Sequence, residues 1–347
     1  ALKNAAADKP AFHIDLGDTF MTDKRRDFHE AAAQYDAQRY YLSALCDQVP
    51  LYMVLGNHDG ETGTAITGRN GGEPMAPWSY AMRTSRFPSP NIGAGSMYTG
   101  RTALEGTKGS HYYAFEWPTN FGSVQIIALD PFWMTTQRPR GGPNGGGGGG
   151  EGGNANTDQN WMKTLGKEQY DWLEQTLTAS KAPYRFVFIH HLVGGFGKDS
   201  RGGMESSVFF EWGGQNADGS PGFATNREGW TMPIHDLLVK HGVNAVFHGH
   251  DHLYVHAERD GLIYQCVPQP GNSQGGTRSS ADYGYKSGTV LGSPGYLRVT
   301  IDKAAAKVEF VRSSLGDDAP ERRREREANG AVVRSYEIKP NAHSSGR

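Results

Sequence analysis

Four short stretches of this sequence carry residues able to bind a metal or move a proton, and each follows an apolar run. Residues 12–16 lead into Gly17-Asp18, 51–55 into Gly56-Asn57-His58-Asp59, 186–189 into His190-His191, and 245–247 into His248-Gly249-His250-Asp251-His252. One carboxylate, one amide oxygen and several imidazoles make a mixed hard and borderline donor set. Such a set suits Zn, Mn or Fe and suits Ca or a thiolate cluster poorly. A carboxylate bridges two cations because its oxygens point in different directions. Two metals about 3.5–4 Å apart polarise a phosphoryl oxygen and hold a hydroxide for in-line attack. A neighbouring His protonates the leaving alkoxide.

Those clusters need a scaffold that brings them together. Five apolar runs (12–16, 51–55, 124–129, 186–189 and 245–247) have the length and apolar character of strands buried on both faces. Helical spacing appears at 23–46, with Phe28, Tyr35, Leu42 and Leu45, and again at 166–179, with Trp172, Leu173 and Leu177. A third helix is expected at 232–240, opened by Pro233 in its first turn. Strands alternating with helices predict an α/β fold. In open α/β sheets, sites form beyond the carboxyl ends of the strands, so the four clusters should converge.

Composition narrows the function classes. The 347 residues carry 35 basic and 37 acidic side chains, a formal charge of -2 that gives no field for attracting nucleic acid or an anionic membrane. No apolar run approaches the roughly 18 residues of a membrane span. The 7 Trp, 16 Tyr and 15 Phe exclude a chain disordered throughout. The 47 glycines gather in three long connections, 60–109, 140–156 and 194–229. The run Gly145 to Gly150 reads as flexible linker, since no Lys-Ser/Thr follows it to cradle phosphate. Cys46 and Cys266 read as two buried thiols rather than a disulfide.

In order and spacing, Gly17-Asp18, Gly56-Asn57-His58-Asp59, His190 and Gly249-His250-Asp251-His252 resemble the GD, GNHD, H and GHxH motifs of the calcineurin-like metallophosphoesterases. The resemblance implies a four-layer sandwich, two central β-sheets flanked by helices, formed by 1–347 as one domain. It implies two divalent or trivalent transition-metal ions, with Asp18 bridging them. Asn57, His190 and His250 would complete one site and His252 would serve the other. His58 would be the general acid, with Asp59 orienting its ring. The family's opening Asp-x-His has no counterpart before Gly17; His13-Ile14-Asp15 holds those types in reverse order. The first strand is therefore expected outside this sequence, and residues 296–338 are expected to add strands to the second sheet.

The expected activity is hydrolysis of a small phosphate mono- or diester. A purple acid phosphatase is disfavoured, because Met21 stands where that group's GDxxY motif has tyrosine. The alternative is a non-catalytic binding or assembly protein on the same fold, against which the retained His58 argues. The 194–229 segment is expected to close over the site, with Arg201 and Arg227 on the phosphate and Phe209, Phe210 and Trp212 on the leaving group. Trp78, Trp133 and Trp230 stand in long loops, as substrate wall or as pins. His191 and His248 are expected to pack behind the ligands. Gly/Asn/Ser-rich loops and a start that is not Met suggest a secreted or periplasmic protein.

Overall fold

A computed structural model describes residues 1–62, 74–105, 108–135, 157–197, 199–271, 275–314 and 327–341. The connection expected at 140–156 lies outside the described residues. The chain opens with α1 (Leu2–Ala7) and β1 (His13–Asp15), followed by two short 3-10 turns, α2 (Ala32–Cys46) and β2 (Leu51–Met53). Then come α3 (Met75–Arg86), β3 (Thr99–Arg101), β4 (Leu104–Glu105), β5 (Lys108–Gly109), β6 (Tyr112–Thr119) and β7 (Gly122–Ala128). After α4 (Gly166–Ala179) and β8 (Tyr184–Ile189) lie two short helices, α5 (Phe210–Gly213) and α6 (Phe223–Asn226). The rest comprises α7 (Ile234–Lys240), β9 (Ala245–His248), β10 (Leu253–Arg259), β11 (Leu262–Cys266), β12 (Thr289–Gly292), β13 (Gly295–Ile301), β14 (Ala306–Arg312) and β15 (Val332–Ile338).

All five apolar runs are strands, but they divide between two sheets. β7, β8 and β9 are parallel neighbours inside an eight-stranded sheet of order β12-β10-β11-β9-β8-β7-β6-β3. Among the described residues, β1 and β2 pair only with each other, in parallel. β13, β14 and β15 form a three-stranded antiparallel sheet of their own and make no ladder with β1–β2.

Side-chain alternation assigns the layers. In β7 and β8, Ile127, Val187 and Ile189 face a core made with Leu173 and Leu177 of α4 and Leu237 and Leu238 of α7. Their neighbours Ile126 and Phe186 face the opposite way, against Tyr52 and Val54 near β2 and Val308 of β14. Met53 then turns to a third core with Tyr35 and Leu42 of α2. Helices, large sheet, small sheets and helices thus stack in the order the resemblance implied.

α4 spans the range that its apolar stripe predicts. The first expected helix begins later, at Ala32, because residues 22–31 are taken up by the 3-10 turns. The 60–109 segment, read as loop, contains the twelve-residue helix α3. Both cysteines are free; Cys266 is buried and Cys46 is half-buried.

Candidate metal centre

The turns after β1 and β2 meet backbone to backbone. Gly17 has φ +90°, and a Cβ there would stand 2.4 Å from the Gly56 nitrogen; one on Gly56 would stand 2.1 Å from the Asp18 nitrogen. Only glycine fits at either contact. Asp59 ties the two turns together, accepting hydrogen bonds from the amides of Gly56 (2.8 Å), Asp18 (3.0 Å) and Phe20 (2.8 Å). Asp15 helps from the strand side, accepting from the Gly17 amide and the Thr19 hydroxyl. Asp18, His250 and His252 all hold positive φ, at 59°, 68° and 59°. Backbone held in that region by non-glycine residues is a mark of functional turns.

These turns aim four acceptors at one point. The ligand atoms of Asp18, His190 and His250 all lie within 4.8 Å of one another. His190 Nε2 is 3.3 Å from the Asp18 carboxylate, 3.1 Å from Asn57 Oδ1 and 3.2 Å from His250 Nδ1. The outer nitrogens decide the tautomers. His190 Nδ1 faces the Leu16 carbonyl at 2.7 Å, and His250 Nε2 faces the Asp199 carbonyl at 2.7 Å. A carbonyl only accepts, so both outer nitrogens carry the proton. In the neutral rings His190 Nε2 and His250 Nδ1 are the lone-pair nitrogens, and they face each other. Lone pairs that converge with a carboxylate and an amide oxygen fit a cation, and carbonyl-anchored imidazoles are the usual support for metal ligands.

The electrostatics agree. Burial by itself would raise the Asp18 pKa, yet the charge and hydrogen bond of His190 and the donated His58 amide hold it well below the usual carboxylate range. Burial depresses His190, but the Asp18 charge outweighs this and lifts it above its ordinary value. Burial, then the neighbouring His190, push His250 well down. His252 lies outside the three-residue cluster, and it is exposed.

His58 is held differently from the expectation. Its Nδ1 faces both oxygens of Asp23, at 2.9 and 3.0 Å, while Asp59 is spent on the three backbone amides. Side chains of adjacent residues diverge here, so the partner comes from 35 positions away. Asp23 was missed because nothing in its local sequence sets it apart; only the fold brings it to His58. His58 Nε2 lies 3.1 Å from Asn57 Nδ2. That bond orients the amide, leaving Asn57 Oδ1 for the cluster.

The two arginines part company. Arg201 Nη1 donates to the His250 carbonyl and to Asp251, with its guanidinium 4.7 Å from the Tyr283 ring centre. Arg227 instead pairs with buried Glu211, donates to the carbonyls of Trp161 and Lys163, and lies over the Trp161 and Trp230 rings. Its donors are consumed internally, which corrects its assignment to the substrate. Phe210 and Trp212 are likewise core residues, with Trp212 Nε1 bonded to the Tyr264 hydroxyl. His191 is buried against Phe132 and bonded to the Leu192 carbonyl, and burial pushes its pKa to about 3. His248 is buried, its pKa lowered to about 4 for the same reason. Trp133 is also buried; Trp78 packs on Phe28 and Tyr35, and Trp230 on Tyr170.

The family model for calcineurin-like phosphoesterases matches residues 1–254. The chain belongs to that family. The match ends just past the His250–His252 turn, so it takes in every residue of the cluster. Among solved structures, the family member is similar to PhoD, at 15% identity and TM-score 0.61, over 98% of this chain and 66% of that one. It is also similar to a purple acid phosphatase from yellow lupin (Lupinus luteus) seeds, at 15% identity and TM-score 0.53, over 99% of this chain and 49% of that one. The chain therefore spans about half the length of the lupin enzyme and just under two thirds of PhoD. At such identities the likeness concerns the fold. No curated protein matches the sequence significantly. Among the described residues, no helix is long and apolar enough to cross a membrane.

Proposed function

We propose that the protein is a metal-dependent phosphoester hydrolase acting on small phosphate esters through a dinuclear centre. The observation that carries this reading is the convergence of the Asp18 carboxylate, Asn57 Oδ1, His190 Nε2 and His250 Nδ1 on one buried point. A cation there satisfies all four acceptors at once.

In this reading Asp18, Asn57, His190 and His250 would hold one metal, and Asp18 with His252 would serve a second. When bound, the metals supply Lewis-acid polarisation of the phosphoryl group. The chain's own residues do the rest. His58 Nε2 delivers a proton to the leaving oxygen, and Asp23 orients the ring through Nδ1. For this Nε2 must exchange Asn57 Nδ2 for the substrate. Arg201 anchors the His250–His252 turn with Nη1 and offers its remaining donors to a phosphate oxygen. Asp59 keeps the Gly17 and Gly56 turns in register and has no part in the proton transfer. Neutral, glycine-rich surroundings favour a small ester, and an exported location suits the same composition.

Metal analysis combined with hydrolysis of aryl phosphate mono- and diesters tests the proposal. Two equivalents of transition metal and a chelator-sensitive rate are expected, and Asp18→Asn or His190→Ala should lose both. Metal-loaded protein inert toward both ester types would leave a non-catalytic binding role on this fold.

A further inference from the structure

A cavity of about 690 Å³ lies between α2, α3 and β2, and its wall includes none of the metal-site residues. Leu42, Leu51, Tyr52, Met53 and Phe87 make most of it apolar. The wall also includes polar residues, among them Arg39, Asp47, Gln48, Asn91 and His111. His111 forms part of the wall, is 2% exposed, and has no hydrogen-bond partner of normal geometry at either ring nitrogen. The nearest acceptor is the Met53 carbonyl, which it shares with the Tyr113 hydroxyl. A buried polar side chain is ordinarily bonded, and one left open is destabilising. Three arginines line the wall, of which Arg83 is buried. Arg83 is committed to Glu61 and Ser89, and Arg86 to Asp36. Arg39 also lines the cavity, is exposed, and makes no ion pair among the described residues.

We infer that this cavity is a second ligand site, taking a small organic anion whose apolar body fills the space between α2 and β2. The anionic group meets Arg39 at the mouth, and a polar atom of the body meets His111. The volume falls within the range of small-molecule sites, and the wall offers both apolar surface and hydrogen-bonding groups. The site is independent of the phosphoester reading, since it shares no residue with the metal cluster.

The fluorescent anion 8-anilinonaphthalene-1-sulfonate has an aromatic body, an N–H and one negative charge. Titrated into the folded protein, it should bind saturably at one site per chain. Arg39→Glu, an exposed substitution, should weaken binding by about tenfold or more by replacing attraction with repulsion. Ser43→Trp should do the same by blocking the mouth, where Ser43 is exposed. The neutral analogue N-phenyl-1-naphthylamine should bind more weakly than the anion. Cys46, half-buried in the same wall, supplies a second readout: bound anion should slow its alkylation by N-ethylmaleimide, with buried Cys266 unreactive throughout. Binding unchanged in both variants, equal binding of the neutral analogue, or Cys46 alkylated at the same rate with anion present would overturn the inference.

Discussion

His58 turns Nδ1 to Asp23 at 2.9 Å, not to its sequence neighbour Asp59. The carboxylate therefore sits behind the ring on the side opposite Nε2, fixing the tautomer and the direction in which Nε2 points. Asp23→Asn should retain both metals and lower turnover by roughly 10²-fold, since general acid catalysis as a whole contributes about 10²–10⁴. Rates and metal content measured on the same preparation check it. A variant with unchanged turnover would place Asp23 outside the proton path.

His58→Ala removes the acid and should cost roughly 10²–10⁴ in turnover. It also frees the Asn57 amide, so metal affinity should fall modestly where Asp23→Asn leaves it alone. Metal titration of the two variants side by side separates the effects.

Arg201 and Arg227 should respond in opposite ways. Arg227→Ala strands Glu211, which burial already pushes up in pKa and which the Arg227 charge, with the Thr164 and Leu165 donors, pulls back. Breaking a buried pair on one side costs about 3–5 kcal/mol, so urea stability should fall by that order with kcat and KM unchanged. Arg201→Ala should instead impair hydrolysis by about tenfold, the scale of a charge-assisted hydrogen bond. Wild-type kinetics in the Arg201 variant would restrict that residue to shaping the turn.

Much of the site could be read from the strand ends. Asp18, Asn57, His190 and His250 follow apolar runs, and parallel strands deliver their carboxyl ends to one edge, so the convergence was legible before any geometry. Helix α4 was legible because Trp172, Leu173 and Leu177 repeat at helical spacing. α3 was not, because Pro74, Pro77, Ser79 and Ser85 give it the composition of a loop, and its stability comes from packing Met75, Ala76 and the Arg83–Glu61 pair. Partners contributed across long separations, such as Asp23 for His58 or Glu211 for Arg227, leave no local signal. For Arg227 residue type pointed to phosphate, while burial of its partner decides otherwise.

Gly17→Ala or Gly56→Ala should each destabilise the protein by about 3 kcal/mol or more, since the added carbon meets rigid backbone across the contact. Metal affinity should fall with stability, because Asp18 and Asn57 directly follow these glycines. Thermal unfolding with and without metal measures both. Full retention of stability in either variant would show that the two turns are not packed against each other.

His111 gives a pH dependence away from the metal. Burial, with the Arg83 charge, holds its pKa well below 6.5 in the fold. The unfolded imidazole takes up a proton below pH 6.5 that the folded one refuses. Its contribution to stability is therefore complete above 6.5 and is lost as the pH falls toward the folded value, at up to about 1.4 kcal/mol per pH unit. Urea unfolding of the wild type and of His111→Phe between pH 7.5 and 5 should show a shallower decline in the variant. Parallel declines would mean that His111 takes its proton in the folded state as readily as in the unfolded one.

The carbonyls behind His190 and His250 belong to Leu16 and Asp199, and both are main-chain groups. Side-chain replacement at either position leaves those acceptors in place, so genetic drift at Leu16 or Asp199 cannot readily reverse which nitrogen faces inward. A saturation library should accordingly divide sharply, with little tolerated at Asp18, His190 and His250 and wide tolerance at position 199. The protonation pattern of the pocket is thereby inherited through the path of the chain, and the neighbouring side chains stay open to selection for other properties.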